Sequence, residues 1–393
     1  MKKSLLDIIK LLLPMGSQKK ELITIAYKYL DEQDLSDIKY YLKMDKLFGI
    51  KQEYDTTLLE TKPWVEFKTH VGDKEVQELI KKVNELIKTS VDEQTFEEFS
   101  AVAKEKIPQL IANNIAGLDD EKFATSLALF AKEPMHVLFL GDPGTGKTEL
   151  LRSAAALSPK SSFGLGSGSS GVGLAAMYKG DELIKGLLPQ ADKGVACIDE
   201  LNLMKPQDRA SLYNAMEKGF VSYDKGGKHL QIDARVVVLA TANPKDDQFV
   251  GQGAAILKKQ VPFQQALLSR FHLVFIIRRP DKHQLGSIAR SIVRKEKQTL
   301  KKADLKFVQS YVSAMHTQEV DFPKDFEPMV VNFIEDLHED ENKFLVEVGP
   351  RTVVGVIRMT QAYARMQGKT LCEQEDLLEI MRLVKRTYYV RKE

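Results

Sequence analysis

Only two cysteines occur in the 393 residues, Cys197 and Cys372, and the seven histidines are scattered. A disulfide framework is therefore excluded, and so is a four-ligand zinc site of the usual spacing. No apolar run approaches the roughly 20 residues that a membrane-spanning helix needs. Met1-Lys2-Lys3 with Leu5-Leu6 mimics a secretion signal, but Asp7 and Lys10 interrupt the apolar stretch and no small-residue cleavage site follows. The expected location is the cytoplasm, with or without association with the nucleoid, and no membrane partner. Arginine is absent before Arg152. The N-terminal part therefore has only lysine for cations and cannot read guanine by a bidentate arginine fork. The net charge is only +2, so there is no global basic footprint, and any nucleic-acid site must be a local patch.

What is present fits a globular chain. The length accommodates one large or two to three ordinary domains, and 43% hydrophobic residues support a core. Residues 3–13, 18–31 and 35–47 read as short helices, separated first by Pro14 and Gly16. Residues 50–71 alternate more like strands around Pro63 and Trp64. Three helices and a β-like segment suit a small N-terminal module over 1–72, mainly helical or winged-helix-like. Its Lys10, Lys19, Lys20, Lys28, Lys39, Lys43 and Lys46 could touch phosphates, although a solvated lysine face is the commoner use of such a set. Residues 73–98 read as a helical linker, within a helical pattern over 73–113 that Pro108 breaks. Residues 99–281 alternate strand and helix, which implies a parallel sheet covered on both faces. Residues 282–393 are helical only, with apolar faces in Phe326–Leu337, Val353–Tyr363 and Leu377–Val384.

The chain is organised around Gly141-Asp142-Pro143-Gly144-Thr145-Gly146-Lys147-Thr148. An apolar run, His136 to Leu140, precedes it, and the helix-like Glu149 to Ala156 follows. Strand, glycine loop and helix is the context of a phosphate-binding P-loop. The glycines let backbone N–H groups turn inward around an anion, and the following helix adds its positive end. Lys147 would reach the β- and γ-phosphates of ATP, and Thr148 would ligate Mg²⁺.

Four further strand candidates follow: Ser162–Leu165, Val195–Asp199, Val236–Ala240 and Leu273–Ile277. Val195 to Glu200 is an apolar strand ending in two acids, which suits a Walker B site. Asp199 would hold Mg²⁺, and Glu200 would orient and deprotonate the attacking water. Cys197 between them needs no role beyond that of a small buried residue. Asn243 stands at the end of the next strand, where open α/β sheets bind ligands, and an amide there can hold the nucleophilic water. Asn243-Pro244 also reads as a turn initiator. Leu267-Leu268-Ser269-Arg270-Phe271 precedes the last strand. Arg270 would sit on the rim, from which it can reach a neighbouring subunit's nucleotide; a rim salt bridge is the plainer alternative. Gly349-Pro350-Arg351-Thr352 opens a helix on which Arg351 could touch the γ-phosphate or form a surface salt bridge. Phe220 to Tyr223 and His229 to Ile232 flank Asp224-Lys225-Gly226-Gly227-Lys228 and read as a β-hairpin with a glycine tip.

These motifs in this order resemble an AAA+ ATPase. The chain from about 100 to 390 is similar to the minichromosome maintenance (MCM) helicases. The resemblance is carried by Phe163 to Leu174, Cys197 to Glu200, Asp208-Arg209 with Ala215-Met216-Glu217, Ala234 to Pro244, Leu267 to Phe271, and Arg358, Ala362, Ala364 and Arg365. It implies an αβα P-loop core with a β-hairpin insert and a helical lid, and a hexameric homo-oligomer with DNA in its channel. Other replication proteins are further implied partners. ATP and Mg²⁺ would bind at subunit interfaces. The resemblance assigns Lys147, Thr148, Asp199, Glu200 and Asn243 to one half-site, with Arg270 and Arg351 acting from the neighbour. Ile115 and Gly117, upstream of the first strand, join the P-loop residues in holding nucleotide. A lysine at the Lys225 position meets DNA phosphate in the family, and Lys228 would assist.

The chain also departs from the family pattern. Gly146 stands where Ala is usual, Leu201-Asn202 replaces Phe-Asp, and His272 stands where Asp is usual. Tyr178–Gly186 is short for the family's inserted helix. There is neither length nor cysteine for the family's zinc-bearing N-terminal domain. Two other classes remain open. One is a MoxR- or magnesium-chelatase-like ATPase that remodels proteins. The other is a nucleotide-switched DNA-binding accessory protein.

Overall fold

The computed structural model describes residues 5, 9, 30, 32, 33, 78, 81 and 95–389, except 169, 180, 181, 226, 227, 281, 283, 284, 287 and 291–301. The chain divides into two compact units, Met1–Phe99 and Ser100–Glu393. In the first, Leu5 and Ile9 are helical and buried. Glu32 and Gln33, read above as lying between helices, are helical. The strand-like segment 50–71, the winged-helix expectation and the seven lysines lie outside the described residues. Residues 95–110 are helical, so Pro108 sits inside a last helical turn and does not end the helix before it.

The second unit is built on a five-stranded parallel sheet. Its strands are β1 (Val137–Gly141), β2 (Ser161–Leu165), β5 (Val195–Asp199), β8 (Val237–Ala242) and β9 (Leu273–Ile277), in the order β2-β5-β8-β1-β9. Every residue of β1, β5 and β8 is buried, as expected of a parallel sheet covered on both faces. The edge strand β2 leaves Phe163 and Leu165 exposed. Helix α1 (Asp119–Phe130) packs on β1 and β8, and α2 (Lys147–Leu157) packs on β2, β5 and β8. The expected strands and the α/β class are therefore present. Among the described residues of Tyr178–Gly186 there is no helix. Ala176–Lys179 (β3) and Glu182–Lys185 (β4) pair as a short antiparallel hairpin, so the reduced insert is built from strands.

Helix α3 (Ala210–Lys218) ends at Gly219, whose φ of 73° only glycine adopts easily, and leads into a second hairpin. Its strands are β6 (Phe220–Lys225) and β7 (Lys228–Asp233), paired from Phe220–Asp233 to Lys225–Lys228. The two sequence-nominated lysines are thus the last backbone pair before the tip. The root is fastened by Ala234 N–H to Gly219 O at 2.8 Å. The Arg235 guanidinium adds a two-pronged contact to Asp192, at 3.0 and 2.8 Å.

After the sheet come α4 (Lys302–Met315), α5 (Glu327–Glu339), α6 (Pro350–Met366) and α7 (Gln374–Tyr388). Pro350 opens α6 at a position where its missing N–H costs nothing, and Thr352 Oγ1 accepts the Gly349 N–H at 3.2 Å. Three arginines spaced seven residues apart tie one face of α6 to backbone carbonyls of the sheet layer. Arg365 donates to Phe130 O, Arg358 to Pro134 O and Arg351 to Ser269 O, at 2.8, 2.7 and 2.6 Å. Arg365 is 3% exposed and anchors the far end of this ladder.

Candidate active site

Because all five strands run the same way, their carboxyl ends share one edge. The P-loop follows β1 there, Asp199 ends β5, and Asn243 follows β8. Gly144 and Gly146 have φ of 78° and 87°, conformations that L side chains rarely adopt. Gly146 also lies under Ile115, whose Cδ1 would be 3.0 Å from an added Cβ. Gly141 must be glycine for another reason: a Cβ would stand 2.0 Å from Ile277 O on β9.

Lys147 is 7% exposed, and its ammonium lies within the loop, donating to Gly141 O at 2.8 Å and Asp142 O at 2.7 Å. Burial pulls its pKa down to about 8, opposed by Asp142, Asp199 and Glu200. Thr148 Oγ1 donates to Asp199 Oδ1 at 3.2 Å, and Thr241 Oγ1 donates to the same oxygen at 2.5 Å. Thr241 Oγ1 in turn accepts the Glu200 N–H at 2.9 Å. Glu200 itself takes φ 54°, ψ 47°, a strained left-handed turn for a residue with a side chain. That turn fits against β2 only because residue 166 is glycine, where a Cβ would be 2.2 Å from Glu200 O. Asn202 Oδ1 accepts the Asn243 N–H at 3.1 Å and so links the segments after β5 and β8.

Asp142 has a second function within the loop. Its carboxylate is 5% exposed and accepts the Phe249 N–H at 2.8 Å and the Arg279 N–H at 3.0 Å. Both oxygens are thereby used to hold the P-loop to the segment beyond Asn243 and to the exit of β9. Sequence reasoning nominated Asp142 only as part of the phosphate loop. It did not assign Thr241, Asn202 or Asp142's bracing contacts. Thr241 stands two residues before Asn243 in a quoted motif, but nothing in a sequence marks a strand threonine as a carboxylate's donor.

The Thr148 hydroxyl and the Asp199 carboxylate form a two-oxygen donor pair. Among the described residues no cluster of three or more His, Cys, Asp or Glu could cage a metal. A pair of oxygens without a cage suits Mg²⁺, which keeps several waters and takes further ligands from phosphates. It does not suit zinc.

The amino ends of the strands make a different edge. Leu273 pairs with Val137 at the start of β1 and β9, and Ile277 pairs with Gly141 at their ends. Arg270, just before Leu273, is therefore about 13 Å along the sheet from the P-loop, four steps of roughly 3.3 Å. Its Nη2 pairs with Glu217 Oε2 at 2.7 Å, and its guanidinium lies 4.8 Å from the Tyr213 ring centroid. It also donates to Ala266 O, while Nε is buried with no hydrogen-bond partner among the described residues. Arg351, bonded to Ser269 O, stands at the same edge. Burial, with the Arg270 charge second, pulls its guanidinium below the ordinary arginine value. The nominated residues thus fall into two groups. Ile115, the P-loop, Asp199, Glu200 and Asn243 lie on or beside the carboxyl edge, Gly117 follows Ile115 by two residues with a φ of 75°, and Arg270 and Arg351 lie together at the amino edge.

Behind the second group lie two buried histidines. His136 Nδ1 accepts the Val238 N–H at 3.1 Å, and His272 Nδ1 accepts the His136 N–H at 3.0 Å. His136 Nε2 faces Met216 O at 3.1 Å. Both rings are therefore neutral, with the proton on Nε2. Burial pushes His136 down to about 4. Burial also pushes His272 well down, and for both rings the charges of Arg351 and Arg358 add to the effect. Their folded values lie below the unfolded value near 6.5. Their contribution to stability is thus fully present above pH 6.5 and is lost as pH falls towards 4. Lowering pH from 6.5 to 5 should cost about 2 kcal/mol for His136 alone. Ring-proton NMR checks this: both rings should remain neutral at pH 5, and a midpoint near 6.5 would contradict the assignment.

The sequence also has relatives. A family model described as the MCM P-loop domain matches residues 92–296, just over half of the chain. The chain is 30% identical over 305 residues to DNA replication licensing factor mcm7-B of Xenopus laevis, covering 71% of this chain and 42% of that protein. It is 29% identical over 342 residues to DNA replication licensing factor mcm7 of Schizosaccharomyces pombe, covering 79% and 45%. It is 29% identical over 308 residues to the minichromosome maintenance protein MCM of Saccharolobus solfataricus, covering 71% and 44%. The matches thus take in less than half the length of each of these relatives.

Proposed function

The chain belongs to the MCM family, and from that premise we propose that it is an ATP-hydrolysing DNA translocase or helicase working as a ring oligomer. One observation carries the reading. The residues suited to holding and splitting nucleotide occupy one edge of the sheet, and the two arginines suited to stabilising its transition state occupy the other. A single chain cannot bring both to one ATP without dismantling the sheet. Two chains in head-to-tail contact can, and such heterologous contacts form a ring where the rotation between chains closes. A homo-hexamer is the proposed assembly.

When bound, Mg²⁺ would neutralise charge building on the transferred phosphoryl group, and Thr148 and Asp199 are the residues that would hold it. Lys147 would exchange its two carbonyl partners for phosphate oxygens. Glu200 would take the proton of the attacking water, which Asn243 would orient. Arg270 and Arg351 would meet the γ-phosphate from the neighbouring chain. The hairpin β6–β7 would carry Lys225 and Lys228 to DNA phosphates, an interaction indifferent to sequence.

The test is ATP turnover with and without DNA, together with DNA binding across a salt series. DNA should stimulate turnover. Lys225→Ala should weaken binding to all sequences alike and reduce the slope of log affinity against log salt by about one unit for each phosphate that the variant no longer neutralises. An unchanged slope would remove this lysine from the interface. Turnover indifferent to DNA would overturn the motor reading and favour protein remodelling.

A further inference from the structure

The ion pair between Arg270 and Glu217 joins two parts that the proposed function keeps separate. Arg270 belongs to the loop before β9. Glu217 and Tyr213 belong to α3, one turn apart on the same face, and α3 runs through Gly219 directly into β6. The carboxylate holds Nη2 at 2.7 Å while the guanidinium carbon lies over the Tyr213 ring, 4.8 Å from its centroid. The same helix turn is fixed to the sheet layer at Met216, next to Glu217: the Met216 carbonyl faces His136 Nε2 at 3.1 Å. Arg351 is fastened one residue away, at Ser269 O. The arginine and the root of the hairpin are thus attached to one short helix.

From this we infer that Glu217 and Tyr213 are positioning residues for Arg270, and that their contact links nucleotide in a neighbouring chain to the β6–β7 hairpin. The inference rests on the proposed function, in which Arg270 acts on a neighbour's phosphates. The chemistry suits exchange. Glu217 is half exposed, and an ion pair of this kind is weak on its own. A γ-phosphate offers the same guanidinium nitrogens a stronger, charge-assisted partner. When Arg270 turns to the phosphate, Glu217 loses its cation and α3 loses its ion pair to the loop before β9. When phosphate leaves, the pair re-forms. Tyr213 keeps the guanidinium plane oriented in both states, because stacking on a ring does not use the N–H groups.

Linkage makes this testable without relying on turnover. If the ion pair carries coupling, nucleotide changes DNA affinity by the same factor by which DNA changes nucleotide affinity. In the native chain the ratio of DNA dissociation constants, with a non-hydrolysable ATP analogue and without nucleotide, should be about fivefold or more. In Glu217→Ala that ratio should collapse to within about twofold of unity. ATP-analogue affinity and the thermal midpoint should stay at native values. Glu217→Asp, which keeps the charge on a shorter arm, should recover part of the ratio, and Tyr213→Leu should lower it without abolishing it. A Glu217→Ala protein whose DNA affinity still follows nucleotide as in the native chain overturns the link alone. A native chain whose DNA affinity ignores nucleotide, or that does not bind DNA, overturns the proposed function and the link together.

Discussion

Arg270→Ala should lower ATP turnover of the assembled protein by about 10³-fold, at the lower end of what an arginine finger contributes in GTPases. Nucleotide affinity should change little, because no contact of Arg270 involves its own P-loop. Loss of the fold is not the expected cause. The pair with Glu217 is partly exposed, and exposed pairs contribute about 0–1 kcal/mol. Truncation also frees Glu217 Oε2 and Ala266 O, and Glu217 is half exposed, so water can replace the lost donor there. The variant should therefore bind an ATP analogue, melt within a few degrees of the native protein and fail at the chemical step. A rate within about tenfold of native would assign Arg270 to the rim ion pair alone.

Glu200→Gln should lower turnover by about 10²–10⁴-fold while leaving ATP bound. The amide keeps the shape of the side chain but cannot accept the proton of the attacking water. The backbone that aims it should persist, since the Glu200 N–H is held by Thr241 and its turn is accommodated by Gly166. Asp199 is a separate residue with separate donors, so metal and nucleotide binding should survive. Equal loss of binding and of turnover would move Glu200 from the water to the scaffold.

Much of the carboxyl edge is legible in the sequence because its signals are local. A glycine loop after an apolar run, two acids after a second and an asparagine after a third all sit at strand ends. Each marks its own place, and parallel strands bring those places together. The amino edge is harder to read. Nothing local to Arg270 predicts Glu217 and Tyr213 as its partners, because they lie 53 and 57 residues away and meet it only through the packing of α3. The departures from the family pattern also become intelligible only in three dimensions. His272 is neutral because it accepts the His136 N–H, and Gly355 of α6 packs against it, where a Cβ would be 3.0 Å away. Asn202 braces Asn243, and Leu201 is fully buried. Gly146 combines a left-handed backbone with a lid formed by Ile115. In each case the residue's neighbour comes from a distant stretch of chain, and local periodicity carries no record of it.

The most direct test of a nucleotide site shared between chains is complementation. Arg270→Ala chains keep Glu200, and Glu200→Gln chains keep Arg270; each preparation alone should be inactive. In a random one-to-one mixture about a quarter of head-to-tail interfaces would join an intact Glu200 to an intact Arg270, and turnover should return in that proportion. Failure of every mixture to recover activity, or a monomer that hydrolyses ATP at full rate without Arg270, would contradict the account.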